Sequence, residues 1–282
     1  MVSDNFSLLT LTDVATIKGL LAGVEAVPSR ARGQNFLIAS GIVAKTVEAI
    51  AGGPYQVTEL GSGLGVLTQA LVIAGYKVRA IEQDNNFVTI LPTIIPPEKH
   101  EALEIMHGDL RHVDWTWNEP YMVVGNIPYN LSGLIFRRLT ALAPIPTVAI
   151  FLVQREVSER LMAKSGDMNL LALSVQLWGT VKLVSDVPAH CFWPQPKVAS
   201  ALVMITPHIK PFISPTEHEE LMSTARQLFQ GRRKQIGKKL EQLFGLEVSR
   251  QALAKAGLTP EQRPQEISLE QWVTLHANLR YT

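Results

Sequence analysis

The sequence predicts an α/β fold: a mostly parallel sheet closed by an antiparallel strand, followed by a small all-helical domain. Between residues 55 and 153, short apolar runs alternate with helical periodicities, as expected for βαβ units on a parallel sheet. After residue 206 three prolines mark a linker, and only helical patterns follow. We therefore predict two domains, residues 1–206 and residues 207–282.

The composition excludes several classes of protein. With 282 residues, 46% hydrophobic and 18% charged, the chain can bury a sizeable core and is not intrinsically disordered. Cys191 is the single cysteine, so an internal disulfide is excluded. The N-terminal segment carries Asp4 where a signal peptide needs a basic residue, and no apolar stretch has the length of a membrane span. We expect a cytoplasmic protein.

The individual elements follow from apolar runs and turn residues. Strands are predicted at residues 55–60, 77–81, 103–106, 121–124 and 148–153, with a closing antiparallel pair at 181–184 and 200–205. Helices are predicted at residues 12–23, 40–51, 67–74, 132–142, 156–164 and 168–178. The helix at 168–178 is apolar nearly all round, which predicts that it is buried.

A glycine-rich turn follows the first strand of the predicted parallel sheet. Glu59 precedes Gly61, Gly63 and Gly65, and glycines at a strand-to-helix turn let the backbone approach a ligand closely. The G-x-G-x-G spacing differs from the G-x-G-x-x-G of dinucleotide-binding folds, which disfavours a nicotinamide-dependent oxidoreductase.

Acidic residues follow the next two predicted strands. Glu82 lies where a carboxylate can accept both hydroxyls of a ribose, although Asp84 could take the same role. Asp109 could accept a hydrogen bond from an adenine amino group, with Leu110 packed against the ring. Because the carboxyl ends of parallel strands open on one crevice, these features predict a single nucleoside-binding site. We expect this site to include Glu59, Gly61, Gly63 and Asn126 as well.

The segment after the fourth strand of the parallel sheet indicates the chemistry. The side-chain oxygen of Asn126, with a backbone carbonyl of Asn126 or Ile127, could accept hydrogen bonds from both N–H groups of adenine N6. Pro128 stiffens the turn, and Tyr129 offers an aromatic face for an extruded base. This set fits methyl transfer to N6 by positioning, which requires no general base and no metal. The seven histidines show no metal-ligand spacing, so no metal is expected.

From about residue 30 to the C-terminus the chain resembles the KsgA/RsmA family of small-subunit ribosomal RNA adenine dimethyltransferases. The similar segments are GQNFL at 33–37, ELGSGLG at 59–65, GD at 108–109, NIPY at 126–129, VQREV at 153–157 and FWPQPKV at 192–198. The resemblance implies a Rossmann-like class I methyltransferase fold and S-adenosylmethionine as cofactor. It also implies that Asn35 and Leu37 contact the cofactor and that Phe192 stacks opposite Tyr129.

The resemblance further implies a substrate. Family members dimethylate two neighbouring adenosines in the 3′-terminal hairpin of 16S rRNA, on an assembling small ribosomal subunit. The chain departs from the family pattern at Ser62, where Pro is usual, and at Ala199, where Asp is usual. Nothing in the sequence requires more than a monomer.

Clustered cations are candidates for RNA contact. Residues 206–282 hold 11 Lys and Arg against 8 Asp and Glu, which hints at a polyanionic partner. Phosphate contact is predicted for Arg232, Arg233, Lys234, Lys238 and Lys239, and near the pocket for Arg30 and Arg32. The alternative for both groups is an ordinary solvated surface.

Two further functions fit the same motifs. One is an antibiotic-resistance methyltransferase that acts on large-subunit rRNA and shares the cofactor motifs and the NIPY segment. The other is a ribosome-assembly factor that binds RNA without needing to methylate it. Intact Glu82, Asp109 and Asn126 argue against a pure RNA-binding protein.

Overall fold

The computed structural model describes residues 11–29, 33–128, 131–230 and 235–279. The chain forms two compact units. The first unit contains the described residues up to Ser158 together with Lys182–Thr206. The second unit contains Glu159–Val181 and the described residues from Pro207 onward.

The described residues form a seven-stranded mixed sheet in the order β4-β3-β2-β5-β6-β9-β7. The strands are β2 (Gln56–Leu60), β3 (Lys77–Glu82), β4 (Leu103–His107), β5 (Tyr121–Asn126), β6 (Val148–Gln154), β7 (Gly179–Val187) and β9 (Ser200–Pro207). Neighbours from β4 to β6 are parallel, whereas β9 pairs with β6 antiparallel. The predicted parallel sheet and its antiparallel closure are both present.

The central strands of this sheet are apolar because both of their faces are covered. The side chains from Tyr121 to Val124 on β5 and from Ala149 to Val153 on β6 are buried. A near-continuous apolar run is typical of such strands, whereas a strand with one wet face alternates. This pattern was the signal by which the sequence predicted them.

Helices connect the strands of the first unit. They are α1 (Val14–Gly23), α2 (Ser40–Ala49), α3 (Val66–Ile73), α4 (Asn85–Ile90), α5 (Ser132–Leu139) and α6 (Arg155–Leu161), with short 3₁₀ turns at Leu91–Ile94, Pro97–Ala102 and Ala189–Cys191. Asp13 caps α1 by accepting a hydrogen bond from the Thr16 backbone N–H at 2.9 Å. The α6 helix runs across the division between the two units.

The sequence did not predict a second, two-stranded sheet. Strand β1 (Phe36–Leu37) pairs antiparallel with β8 (Phe192–Trp193), and the Ile38 backbone N–H extends the pairing to the Cys191 carbonyl at 2.8 Å. Segments of two residues have no measurable periodicity. Their pairing joins two distant segments of the chain, both of which carry motifs of the resemblance.

The second unit is helical. Its helices are α7 (Leu170–Trp178), α8 (Pro215–Phe229), α9 (Ile236–Phe244), α10 (Leu246–Lys255) and α11 (Leu269–Leu279), with a 3₁₀ turn at Pro264–Glu266. Ser214 and Glu217 form a capping box at the start of α8, with the Ser214 N–H donating to Glu217 Oε2 at 2.7 Å. Phe229 stacks on Trp272 with ring centroids 6.0 Å apart.

The division into two units differs from the predicted boundary at residue 206 in one segment, Glu159–Val181, which belongs to the second unit. Helix α7 is buried, as its all-round apolar character predicted, but its side chains belong to the core of the second unit. Ala172, Leu173 and Leu177 share that core with Leu221 and Ala225 of α8. An all-round apolar helix has to be covered on every side, and sequence order did not reveal which elements cover it.

Within the described parts of the chain, no helix has the length and hydrophobicity needed to span a membrane. Nor do three or more His, Cys, Asp or Glu side chains gather there in a way that could hold a metal ion.

Candidate functional site

A cavity of about 430 Å³ opens in the first unit at the carboxyl ends of β2, β3, β4 and β5. Ten of the residues predicted for the site line it, namely Asn35, Leu37, Glu59, Gly61, Gly63, Glu82, Asp109, Leu110, Asn126 and Pro128. Residues 35 and 126 are far apart in sequence, so the fold gathers the predicted site from separate segments. The carboxyl edge of a parallel sheet is the usual ligand position in α/β folds.

The glycine turn between β2 and α3 forms one wall of the cavity. Gly61, Gly63 and Gly65 have φ of +74°, +56° and +82°, which residues with a Cβ adopt only with strain. The N–H groups of Gly61 and Ser62 both donate to the Ile81 carbonyl, at 2.9 and 3.2 Å. The turn is therefore fixed to the end of β3, and Gly61 and Gly63 expose backbone to the cavity.

Glu82 ends β3 with its carboxylate held by three backbone donors. Oε2 accepts from the Gly63 N–H at 2.7 Å, and Oε1 accepts from Gln83 and Asp84 at 2.8 and 2.9 Å. Burial raises the pKa of this carboxyl, and the three hydrogen bonds oppose that rise by stabilising the charged form. The carboxylate is thus oriented at the cavity wall, where it can accept further hydrogen bonds.

Asp84, the alternative to Glu82, is engaged in other contacts. Its Oδ1 accepts from the Asn86 N–H at 3.1 Å and caps α4, and its Oδ2 accepts from Gln34 Nε2 at 3.2 Å. Asp84 lines the cavity as well. Its hydrogen bonds favour a structural role, in which it holds the segment around Gln34 against the start of α4.

Asp109 forms an ion pair that the sequence did not predict. Arg111 donates its backbone N–H to Asp109 Oδ1 and its Nε to Oδ2, each at 2.8 Å. The hydrogen bonds from the Arg111 side chain are the main cause that lowers the pKa of Asp109 to about 2. Asp109 is therefore ionised at neutral pH and can accept a hydrogen bond from an amino group.

The loop after β4 is fixed from α5. The Arg138 guanidinium donates to the Leu110 carbonyl and, at 2.9 Å, to the Val113 carbonyl, and it lies 4.4 Å from the Trp115 ring centroid. Leu110 is buried and lines the cavity. These contacts fix the loop that carries Asp109 and Leu110, both of which line the cavity.

The Asn126 amide at the end of β5 is oriented by the segment before β1. Its Nδ2 donates to the Asn35 backbone carbonyl at 3.1 Å, and Asn35 Nδ2 in turn donates to the Gly33 carbonyl at 3.2 Å. Because the amide nitrogen is used in this way, the amide oxygen is left to accept hydrogen bonds from a ligand.

The turn after Asn126 is anchored on both sides. The Ile127 N–H donates to the Leu152 carbonyl at 3.1 Å, and the Leu131 N–H donates to the Pro128 carbonyl at 2.9 Å. Ile127 is buried and is not a cavity residue, whereas Pro128 lines the cavity. Tyr129 lies outside the described residues.

Glu59 is a buried carboxyl at the base of the cavity. It is 2% exposed and accepts a hydrogen bond from Thr68 Oγ1 of α3 at 2.5 Å. Burial raises its pKa to about 8, and the nearby Glu82 adds to the rise. Glu59 is therefore mostly protonated at neutral pH in the ligand-free protein.

The structure does not bring Phe192 to the cavity. Phe192 is 2% exposed, lies opposite Leu37 in the β1–β8 pair, and packs in the core of the first unit. Its neighbour Trp193 stacks on Phe36, with ring centroids 6.5 Å apart. The stacking role that the resemblance implies for Phe192 stays a prediction.

Of the cations predicted to contact RNA, two can be placed. Lys238 is exposed and Lys239 is half-buried on α9, whose Ile236 and Leu240 face the core of the second unit. The other predicted cations lie outside the described residues: Arg30, Arg32, Arg232, Arg233 and Lys234.

Gln34, Phe36 and Arg111 are among the other residues that line the cavity and had no predicted role. The sequence indicates Gln34 and Phe36 only through the GQNFL resemblance, and no motif indicates Arg111. Phe36 contacts Phe87 edge-to-face at 5.7 Å and faces Gly63 across the cavity wall. Only the positions of Gln34 and Phe36 directly beside Asn35 and Leu37 could have suggested them.

Comparisons with known proteins give one consistent result. The family model described as ribosomal RNA adenine dimethylase matches residues 29–280. A ribosomal RNA small subunit methyltransferase A from Dehalococcoides mccartyi is 34% identical over 274 residues, covering 93% of this chain and 92% of the relative. The protein of the same name from Mycoplasma mobile is 31% identical over 249 residues, covering 88% and 96%.

Solved structures agree on the fold. The 23S rRNA methyltransferase ErmE is similar with a TM-score of 0.69 at 25% identity, covering 87% of this chain and 99% of that one. A dimethyladenosine transferase from Plasmodium falciparum has a TM-score of 0.71 at 22% identity, covering 85% and 95%. The predicted Rossmann-like methyltransferase fold with a helical C-terminal region is confirmed.

Proposed function

Since the chain belongs to the ribosomal RNA adenine dimethylase family, we propose that it dimethylates N6 of two neighbouring adenosines in the 3′-terminal hairpin of 16S rRNA, on an assembling small ribosomal subunit. The family makes the chain an S-adenosylmethionine-dependent enzyme that methylates adenine in rRNA. The small-subunit substrate is supported by the relatives at 31–34% identity, which carry the name small subunit methyltransferase A. We also infer that the enzyme acts as a cytoplasmic monomer.

The residues around the cavity fit S-adenosylmethionine. Glu82 presents a buried, oriented carboxylate for the two ribose hydroxyls, and ionised Asp109 can accept from the adenine amino group with Leu110 against the ring. Gly63, whose N–H donates to Glu82, adds no Cβ to the wall, so a ligand can lie against the backbone there. Leu37 on β1 and Asn35 just before it also line the cavity.

The bound cofactor supplies a methyl group on a sulfonium sulfur. The chain contributes by holding the target nitrogen. The Asn126 amide oxygen and a backbone carbonyl of Asn126 or Ile127 accept from the two N–H groups of N6, which directs the nitrogen lone pair toward the methyl carbon. Alignment of donor and acceptor is the main contribution to an in-line displacement.

The single observation that supports this role is the hydrogen bond from Asn126 Nδ2 to the Asn35 carbonyl. It fixes which end of the amide faces the ligand. Rotation of the amide by a half turn would place N–H groups toward the target N–H groups and oppose binding. Asn35 thereby acts as a positioning residue for Asn126.

The test uses small ribosomal subunits that lack the modification and S-adenosylmethionine labelled in the methyl group. Wild type and Asn126→Ala are compared, and the RNA is digested to identify the labelled nucleoside. We expect label in N6,N6-dimethyladenosine with wild type, and a loss of about 10²-fold or more in the variant. The melting temperature of the variant serves as the control for folding and should change little.

The same experiment decides between the remaining functions. Label on large-subunit particles instead of small-subunit particles would favour a resistance methyltransferase, for which the likeness to ErmE is the supporting observation. An absence of label on both particles, with the protein folded and the cofactor bound, would leave a ribosome-assembly factor that acts by binding.

A further inference from the structure

A buried hydroxyl in the glycine turn has no function in the roles assigned above. Ser62 is 6% exposed and lines the cavity. Its Oγ finds no hydrogen-bond partner among the described residues. A buried hydroxyl without a partner costs folding free energy, and a ligand that supplies the partner recovers that cost on binding.

The neighbours of Ser62 locate it relative to the parts of the cofactor. A Cβ on Gly61 would lie 3.9 Å from Pro128 and 4.0 Å from the Asn126 carbonyl, so this side of the turn borders the target end of the cavity. On the other side, the Gly63 N–H donates to Glu82, the proposed ribose acceptor. Ser62 therefore lies between the place proposed for the methyl group and the place proposed for the ribose.

The sulfonium sulfur of S-adenosylmethionine carries three substituents. Glu82 and Asp109 account for the adenosyl group, and Asn126 borders the methyl group. The remaining substituent is the amino-acid arm, which carries a carboxylate and an ammonium group. A serine hydroxyl can serve either group, because it both donates and accepts.

We propose that the Ser62 hydroxyl hydrogen-bonds the amino-acid arm of the bound cofactor. Forming this bond requires a rotation about χ1, a single torsion with three staggered positions, that brings the buried Oγ to the cavity. The bond is charge-assisted and forms only in the complex. Proline at this position, as in the usual family pattern, has no hydroxyl, so the contact is a feature of this chain. The inference rests on the places proposed for the ribose and the methyl group.

The test compares wild type with Ser62→Ala against two ligands. S-adenosylhomocysteine carries the amino-acid arm, whereas 5′-methylthioadenosine has the same adenosyl group without it. We expect Ser62→Ala to weaken S-adenosylhomocysteine binding about five- to tenfold and to leave 5′-methylthioadenosine binding unchanged, as measured by calorimetry. The melting temperature of the ligand-free variant should equal or exceed that of wild type, because no native hydrogen bond is lost.

Ser249 provides a matched control. It lies in the second unit, is fully buried, and its Oγ also has no partner in the described chain, but it does not line the cavity. Ser249→Ala should therefore behave like Ser62→Ala in the ligand-free melting experiment and should leave the affinity for both ligands unchanged.

Three results would overturn the proposal. Unchanged affinity of Ser62→Ala for S-adenosylhomocysteine would show that the hydroxyl makes no contact with the arm. An equal loss for both ligands would place its partner on the ribose or the adenine. A ligand-free melting temperature of Ser62→Ala below that of wild type would mean that the hydroxyl already has a partner in the free protein. None of these readouts uses RNA, so failure of the proposed rRNA target leaves this test intact.

Discussion

Asn126 and Asn35 act as a pair although they are 91 residues apart in sequence. The sequence suggested each of them separately, Asn126 from its chemistry and Asn35 from the family resemblance. Their hydrogen bond depends on β1 lying beside the end of β5 at the cavity, which no local pattern could show. At the residue scale, the sequence therefore predicts which side chains take part in the chemistry. Their orientation is known only from the fold.

Glu82→Gln should weaken cofactor binding more than Asp84→Asn. An amide at position 82 has one acceptor oxygen for the three N–H groups of Gly63, Gln83 and Asp84, and it offers the ribose no charge. Hydrogen bonds to charged groups contribute about 1.5–3 kcal/mol, which corresponds to a loss of roughly ten- to a hundredfold in affinity. Asp84→Asn keeps a helix-capping side chain, so its loss should be small. Calorimetry with S-adenosylhomocysteine measures the affinity of both variants. A larger loss of affinity in Asp84→Asn would identify Asp84 as the ribose acceptor.

Gly125→Ala should destabilise the protein through the sheet. A Cβ at this position on β5 would lie 2.7 Å from the Leu60 carbonyl oxygen and 3.2 Å from its Cβ, and neighbouring strands cannot separate cheaply. Overpacking of this kind costs about 1–3 kcal/mol. Gly133→Ala on α5, where nothing lies within 4 Å, should instead be neutral or stabilising by up to about 1 kcal/mol. Urea unfolding of both variants checks the contrast, which equal stabilities would contradict.

At the scale of elements, prediction succeeded where a periodic signal was long enough. Strands β2 to β6 were placed to within one or two residues, because each is an apolar run between turn residues. The two-residue strands β1 and β8 and the six-residue helix α4 carry no such signal and were missed. Helix α7 was correctly predicted as buried, but its partners were not, because an all-round apolar pattern does not indicate a direction.

The contact between β2 and α3 predicts a dependence of stability on pH. Glu59 on β2 is buried against Thr68 on α3, and its pKa is raised from 4.5 to about 8. In the unfolded chain the Glu59 carboxyl loses its proton near pH 4.5. In the folded protein it keeps the proton up to about pH 8. The folded state then binds more protons, so stability falls as pH rises from about 4.5 to 8, by at most about 1.4 kcal/mol per pH unit.

Glu59→Gln removes this titration and keeps a neutral side chain of the same size. We expect its ligand-free form to lose less stability than wild type between pH 5 and pH 8, as measured by urea unfolding at several pH values. Glu104→Gln is a suitable control, because Glu104 pairs with Arg79 at the sheet edge and is more exposed. If Glu59→Gln and wild type gave parallel stability profiles, Glu59 would be ionised in the folded protein throughout this range.

At the scale of the whole molecule, the two units have different secondary structure and different proposed tasks. The lining of the cavity comes from the first unit, whereas Lys238 and Lys239 belong to α9 of the second. The sequence indicated this division through the change of pattern after residue 206. The sequence-based prediction assigned residues 159–181 to the first domain, because it kept each domain contiguous in sequence. The packing around α7 groups these residues with the second unit.

Charge reversal at Lys238 tests whether the second unit contacts RNA. The side chain is exposed on α9, so Lys238→Glu should leave the melting temperature and the affinity for S-adenosylhomocysteine unchanged. If Lys238 contacts an RNA phosphate, the variant should bind small subunits more weakly. The magnitude of the slope of log affinity against log salt concentration should then fall by about 0.7–0.9. Arg250→Glu, an exposed cation on α10 without a predicted RNA contact, carries the same change in net charge. Because long-range charge acts equally on both variants and a phosphate contact acts on one, a larger effect at Lys238 identifies a contact. Equal effects of the two variants on RNA binding would mean that Lys238 is an ordinary solvated residue without a phosphate contact.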